Sequence, residues 1–188
     1  MRLSPTDPLL ADLKRRDPER FATLLFAPLG GQAGMAALYA FNLDLGSVRE
    51  RAVREPIAGH IRLQWWRDAL SAGGAKVELG ERLLALGLDV AELLALIDAR
   101  EADLSPEPPA TLADLEAYGA STGGALHALA ARFLGGGEAA CDMARSAGTA
   151  YALQGLMRAL PAHAAMGLRH LPLELIAADI EGSSAELC

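Results

Sequence analysis

The sequence predicts an all-α fold, and three observations carry that expectation. No stretch alternates apolar and polar residues for a useful length, so the strand signal is missing. The apolar supply is Ala and Leu with few aromatics, 52% hydrophobic against 5% aromatic, as helical bundles favour. Prolines, glycines and capping side chains punctuate the chain at helix-length intervals. At 188 residues it is long enough for one domain over 1–188 with a substantial core, and no internal repeat interrupts it.

Asp17 followed by Pro18 reads as a helix start, expected to run to about Ala27 and to stop at Pro28. A second helix is expected from Gln32 to just before Pro56. Pro56 opens a third, carrying Ile61, Leu63, Trp65, Trp66 and Leu70 and closed by Gly73-Gly74. A short helix from Glu78 to Leu86 precedes one from about Asp89 to Leu104. Residues Ser105 to Pro109 (SPEPP) form the clearest loop. Thr111 then caps a helix, with Asp114 three residues on suited to the helix dipole, running to about Leu134 and broken by Gly135-Gly136-Gly137. The last long helix is expected from Glu138 to Leu160, ended by Pro161, with a short segment after Leu171-Pro172-Leu173.

Charge narrows the function classes. With 17 basic against 24 acidic residues the net charge is −7, which argues against nucleic acid, since phosphate backbones demand concentrated positive surface. Arg49, Arg51, Arg54, Arg62 and Arg67 cluster, whereas Glu78 to Glu116 is mostly acidic. A solvated helix face is the first reading, and a docking surface for an acidic partner or anionic lipid the second. Cys141 and Cys188 give neither a disulfide framework nor a zinc spacing, so a reducing compartment is expected. Met1 to Asp17 has no signal-peptide pattern. Phe21 to Leu43 is uncharged, but Pro28, Gly30, Gly31 and Gln32 interrupt it, so it reads as two buried helices and a turn rather than a span, and the chain as soluble.

Two stretches carry chemistry: Ala37 to Glu50 (ALYAFNLDLGSVRE) and Ala152 to Pro172 (ALQGLMRALPAHAAMGLRHLP). Both resemble the two signature helices of the squalene/phytoene synthase family, whose members join isoprenoid diphosphates head to head. The resemblance covers roughly Asp17 to Pro172 and implies an isoprenoid synthase-like helical bundle. Because members usually continue further, it also implies a piece lacking the final helices. In the family, carboxylates at i, i+1 and i+4 share a helix face and hold magnesium against the diphosphates. That hard cation wants oxygen ligands, and the metals stabilise the charge that ionisation develops.

Placed on that pattern, the acidic positions of the first helix fall on Gly46, Ser47 and Glu50, of which Glu50 alone can coordinate. Asp44 stands two residues early, about 200° round a helix from Gly46, and does not replace the missing aspartate. In the second helix the frame reads Gly155-Leu156-Met157-Arg158-Ala159, and the two aspartate positions fall on Ala159 and His163. Alanine offers no ligand and a lone histidine suits magnesium poorly. Arg158, Gly167, Leu171 and Pro172 keep the family frame. Two diphosphate-binding arginines of the family fall near Pro18-Glu19 and on Leu43, with Arg20 close enough to stand in. The candidate pocket lining is therefore Tyr39, Phe41, Asp44, Gly46, Ser47, Glu50, Gly155, Arg158, Ala159 and His163, with no catalytic residue and no metal.

Ile61 to Leu70, Asp98 to Pro109, and Asn42 with Asp44 resemble the non-catalytic branch of this family, which includes a factor of respiratory complex I assembly in mitochondria and its alphaproteobacterial relatives. The resemblance implies a catalytically silent assembly or binding factor without cofactor. Its partner is a protein of respiratory complex assembly or an isoprenoid or lipid ligand, and its place the cytoplasm, peripheral to the inner membrane. The alternative is a magnesium-dependent head-to-head prenyltransferase using Asp44, Glu50 and further carboxylates. A carrier of lipid without chemistry is the third.

Plainer readings stand beside these. Tyr39 and Phe41 at helical spacing read equally as core. Trp65 and Trp66 sit 100° apart on a helix, so one packs while the other is expected to be partly exposed. His60, His127, His163 and His170 show no metal spacing and read as surface or hydrogen-bonded side chains. Arg67 and Asp68 read as solvated, and so do Asp98, Glu101 and Asp103, as an acidic patch. Gly123-Gly124 marks a close approach of two helices.

Overall fold

The computed structural model describes residues 7–71 and 77–176, and over these the chain is all-α. In chain order the α-helices are α1 (Pro8–Arg16), α2 (Pro18–Leu24), α3 (Gln32–Gly46), α4 (Val48–Arg54), α5 (Pro56–Ser71), α6 (Glu78–Leu84), α7 (Val90–Asp98), α8 (Leu112–Gly119), α9 (Ala125–Phe133) and α10 (Glu138–Ala165). A 3-10 turn, Ala99–Leu104, extends α7, and a π turn, Ala120–Gly124, joins α8 to α9.

Local chemistry sets several helix starts. Asp7 accepts from the Leu9 backbone N–H (3.1 Å) with Pro8 behind it, and Asp17 from that of Arg20 (3.1 Å) with Pro18 behind it. Thr111 and Asp114 close a reciprocal capping box on α8. The first of these helices, α1, was not expected, although it carries the same Asp-Pro signal as α2.

Several boundaries differ from the sequence reading. α2 ends at Leu24, and the next three residues form a turn before Pro28. The helix expected up to Pro56 breaks at Ser47, whose hydroxyl donates to the Asp44 carbonyl (2.6 Å) and turns the chain into α4. The stop at Gly73-Gly74 lies outside the described residues. α7 tightens into the 3-10 turn, where side chains three apart eclipse; this aligns Arg100 with Asp103. The helix from Thr111 opens into the π turn because Gly123 and Gly124 press against α10: a Cβ on Gly123 would stand 2.6 Å from the Gly148 carbonyl oxygen.

Pro161 does not end α10. The helix continues to Ala165 and closes at Gly167 (φ 79°), with the Leu168 and Gly167 N–H groups returning to the His163 and Ala164 carbonyls. The following residues fold back, Leu173 N–H donating to Pro109 O at 3.0 Å.

The apolar core gathers α1, α3, α5, α7 and α9 around Leu38, Phe41, Leu63, Trp66, Ile97 and Leu126. Trp66 is 1% exposed and packs edge-on to Phe41 at 4.8 Å, whereas Trp65 is 36% exposed. Cys141 is buried on α10. No helix of the described residues is long and apolar enough to cross a membrane.

Candidate functional site

The break at Ser47 aims α4 inward, and α10 runs across the open side. Between them, closed by α2, the 3-10 turn and the π turn, lies a cavity of about 310 Å³. Gly46, Glu50, Gly155, Arg158, Ala159 and His163 all border it, so positions far apart in the chain meet at one hollow. A Cβ on Gly46 or Gly155 would meet nothing within 4 Å.

The other four expected lining residues do not border it. Tyr39 is buried in the core, accepting from the Thr23 hydroxyl at 3.2 Å. Phe41 points to Trp66. Asp44 faces α5, accepting from Trp66 Nε1 (2.6 Å) and Arg62 Nε (2.8 Å). Ser47 is consumed by the helix break, its Oγ also accepting from Arg51 Nε at 3.2 Å. The helical rotation between Asp44 and Gly46 explains the first separation: one faces the cavity and the other cannot.

The cavity wall is built from charges that sequence reasoning left on the surface. Asp103 is 4% exposed, not solvated. It accepts from Arg49 Nη2, from the Tyr118 hydroxyl (2.6 Å) and from Arg100 Nη1 (3.2 Å). Arg100 also donates to Asn42 Oδ1 at 2.9 Å, and Arg49 to the His170 ring, 2.9 Å from Nδ1. Burial, with the Asp103 charge adding to it and the Arg100 and Arg49 charges opposing, pushes the Tyr118 hydroxyl up to about 12, so it stays a neutral donor. Asp98 and Glu101 do face solvent, but both take hydrogen bonds from Arg67, which is thereby tied down rather than free. The i,i+3 pair Arg100–Asp103 and the position of Arg49 beside Glu50 were the available signals.

The opposite wall holds a second group. Arg20 Nη1 donates to Asp17 Oδ2 (2.6 Å) while its guanidinium lies 4.6 Å over the Tyr151 ring. Glu19 takes two donors from Arg158 and one from Tyr151 (2.7 Å), which hold its carboxyl down at about 2. Arg20, rather than Glu19, thus reaches the hollow. His163 packs edge-on to His170, ring centroids 4.5 Å apart. Burial lowers the pKa of both, that of His170 to about 4. His127 donates from Nδ1 to the Gly123 carbonyl (2.8 Å), and His60 lies on the α5 surface.

The donors do not fit magnesium. Of the three carboxylates that border the cavity among the described residues, Asp17 is paired with Arg20 and Asp103 with Arg49 and Arg100, leaving Glu50. No group of three or more His, Cys, Asp or Glu among the described residues is placed to hold a metal ion. A helical bundle with this hollow defines an isoprenoid synthase-like protein, and the chain belongs to the squalene/phytoene synthase family, whose model matches residues 13–186. Among curated proteins the chain is similar to NADH dehydrogenase (ubiquinone) complex I, assembly factor 6, of Rattus norvegicus (30% identical), Mus musculus (29%) and Homo sapiens (27%). Each alignment covers 87% of this chain and 51% of the relative, so the chain spans about half the length of the curated relatives it matches. No solved structure gives a significant match.

Proposed function

We propose that this protein is an assembly or binding factor in respiratory complex I biogenesis, built on an isoprenoid-synthase-like body without synthase chemistry. The observation that carries the reading is the character of the hollow. At the positions where the family's enzymes bring magnesium ligands this chain has Gly46, Ser47, Ala159 and His163, with Glu50 alone still acidic, and the other two carboxylates on the cavity wall among the described residues are neutralised by arginine. Without metal, an allylic diphosphate leaving group has little help in departing. The complex I assembly factors of similar sequence supply the process. The setting that follows is cytoplasmic, peripheral to the inner membrane, with a protein partner.

Deleting the gene should lower assembled complex I on native gels and NADH oxidation by membranes, and the wild-type gene should restore both. Purified protein with farnesyl or geranylgeranyl diphosphate and magnesium should form no squalene- or phytoene-type product. Intact complex I in the deletion strain, or turnover within a few-fold of ordinary synthases, would refute the reading. The prenyltransferase alternative predicts magnesium-dependent thermal stabilisation by a diphosphate analogue. A lipid carrier predicts co-purifying lipid in native mass spectrometry.

A further inference from the structure

The stretch from Phe21 to Leu43 carries no charge, yet the turn in its middle is not buried with the helices on either side. At the tip joining α2 to α3, Leu25 is 68% exposed, Phe26 89% and Leu29 75%. Leu134, after α9, extends this apolar surface: a Cβ on Gly31 would stand 2.5 Å from its Cδ2. The tip has a defined shape. The Leu25, Phe26 and Ala27 N–H groups donate back to the Ala22, Thr23 and Leu24 carbonyls, and the Gly31 N–H to Pro28 O at 2.7 Å. Gln32 Nε2 donates to the Ala27 carbonyl at 3.2 Å, and Pro28 has no N–H to satisfy. Most backbone donors of the tip are thus spent within it, which suits a segment that leaves water for a medium without hydrogen-bond partners.

Size and charge decide what covers the tip. Three side chains at these exposures present on the order of 400 Å² of apolar surface, half of the roughly 800 Å² that each partner gives to an ordinary protein–protein interface. A phenylalanine exposed to this degree stands proud of the surface, a shape that a second copy of the same tip does not enclose. One helical turn back along α2, Lys14 Nζ lies 6.0 Å from the Phe21 ring centroid, within reach of lipid phosphates when the tip lies beneath them. We propose that the α2–α3 tip docks this protein on a lipid bilayer, with Leu25, Phe26 and Leu29 entering the boundary between headgroups and acyl chains. Insertion of this kind is shallow, about 5–10 Å. Because the tip is uncharged and the chain carries −7 overall, attachment rests on apolar burial rather than on a basic patch. This deepens the membrane-peripheral setting proposed above by naming the face that docks. The test does not measure complex I, so it and the deletion experiment fail separately.

Flotation of the full chain with phosphatidylcholine–phosphatidylglycerol vesicles tests it. The protein should float with the vesicles, and should still do so in salt concentrated enough to screen surface charge. Phe26→Asp should lower the partition coefficient at least about tenfold, and Leu29→Asp should act in the same direction. Both sites are exposed, so circular dichroism should stay that of the wild type. Ile61→Asp, on the comparably exposed face of α5, should leave flotation unchanged. In Phe26→Trp, added vesicles should shift the emission to the blue, and brominated lipid should quench it beyond what Trp65 and Trp66 give in the wild type. No flotation of the wild type, release by salt with no effect of Phe26→Asp, or a loss in Ile61→Asp instead would each overturn the proposal. So would sedimentation showing that Phe26→Asp splits a dimer, which would give the tip to a second copy of the chain.

Discussion

Asp103 shows how one residue decides the character of the hollow. Its carboxylate is the meeting point of Arg49, Arg100 and Tyr118, and without it two guanidiniums in a poorly solvated wall would repel each other. Removing one partner of a buried ionic group is expensive because the remaining charge stays buried. Asp103→Asn keeps the shape and deletes the charge, and it should cost about 3 kcal/mol in urea denaturation with little change in slope. A loss below about 1 kcal/mol would place the network at the solvated surface, where ion pairs contribute little. Gly46 makes the opposite prediction. A side chain there meets open space, and aspartate suits a helix better than glycine, so Gly46→Asp should leave the unfolding free energy within about 1 kcal/mol of wild type. A collapse of stability would mean that the space is filled in solution.

At the scale of elements, the seam between the π turn and α10 is the tightest backbone approach near the cavity. A Cβ on Gly148 would stand 2.7 Å from the His127 ring and closer still to the Gly123 carbonyl oxygen, which belongs to rigid helix backbone. Gly148→Ala is helpful to an isolated helix yet should destabilise this protein by about 2 kcal/mol through overpacking, lowering the thermal midpoint by roughly 5 °C. A stabilised variant would contradict the seam. The seam also marks the limit of what the sequence could disclose. Asp17, Pro56, Thr111 and Gly135 announce helix ends by themselves, since caps and breakers act on their immediate neighbours, and those elements were legible. Gly123-Gly124 was legible as a close approach but not as a π turn, because the widening answers α10, some 25 residues on. The 3-10 turn and the burial of Asp103 depend likewise on partners distant in the chain, whereas the break at Ser47 is local, its hydroxyl turned back on the Asp44 carbonyl, and a serine inside a helical pattern does not announce it. For the site, spacing identified which positions of α3, α4 and α10 should meet, and Gly46, Glu50, Ala159 and His163 do share the hollow. It could not disclose that Arg49 and Arg100 turn inward, since an arginine cluster on an amphipathic helix reads first as a solvated face.

For the whole molecule, the buried histidines tie stability to pH, and the sign can be worked out. His127, His163 and His170 all have lowered pKa values, first through burial and, for the latter two, next through Arg49; that of His170 falls from 6.5 to about 4. The unfolded chain therefore binds more protons than the native one between those values, and acid favours unfolding. Their contribution is fully present above about pH 6.5 and is lost as pH falls toward 4. Glu19, held at about 2 against an ordinary 4.5, adds a loss of the same sign below 4.5, so the upper part of the window belongs to the histidines. A proton on His170 would face the Arg49 guanidinium at 2.9 Å and the His163 ring at 4.5 Å, with Asp103 the compensating charge held by Arg49. The thermal midpoint should thus fall steadily between about pH 6.5 and 5. His170→Gln should fall less steeply over the same range, with the remaining slope due to His127 and His163. An identical slope in the variant would show that His170 is protonated without strain, and that the fold-back after α10 opens before the helices around the hollow do.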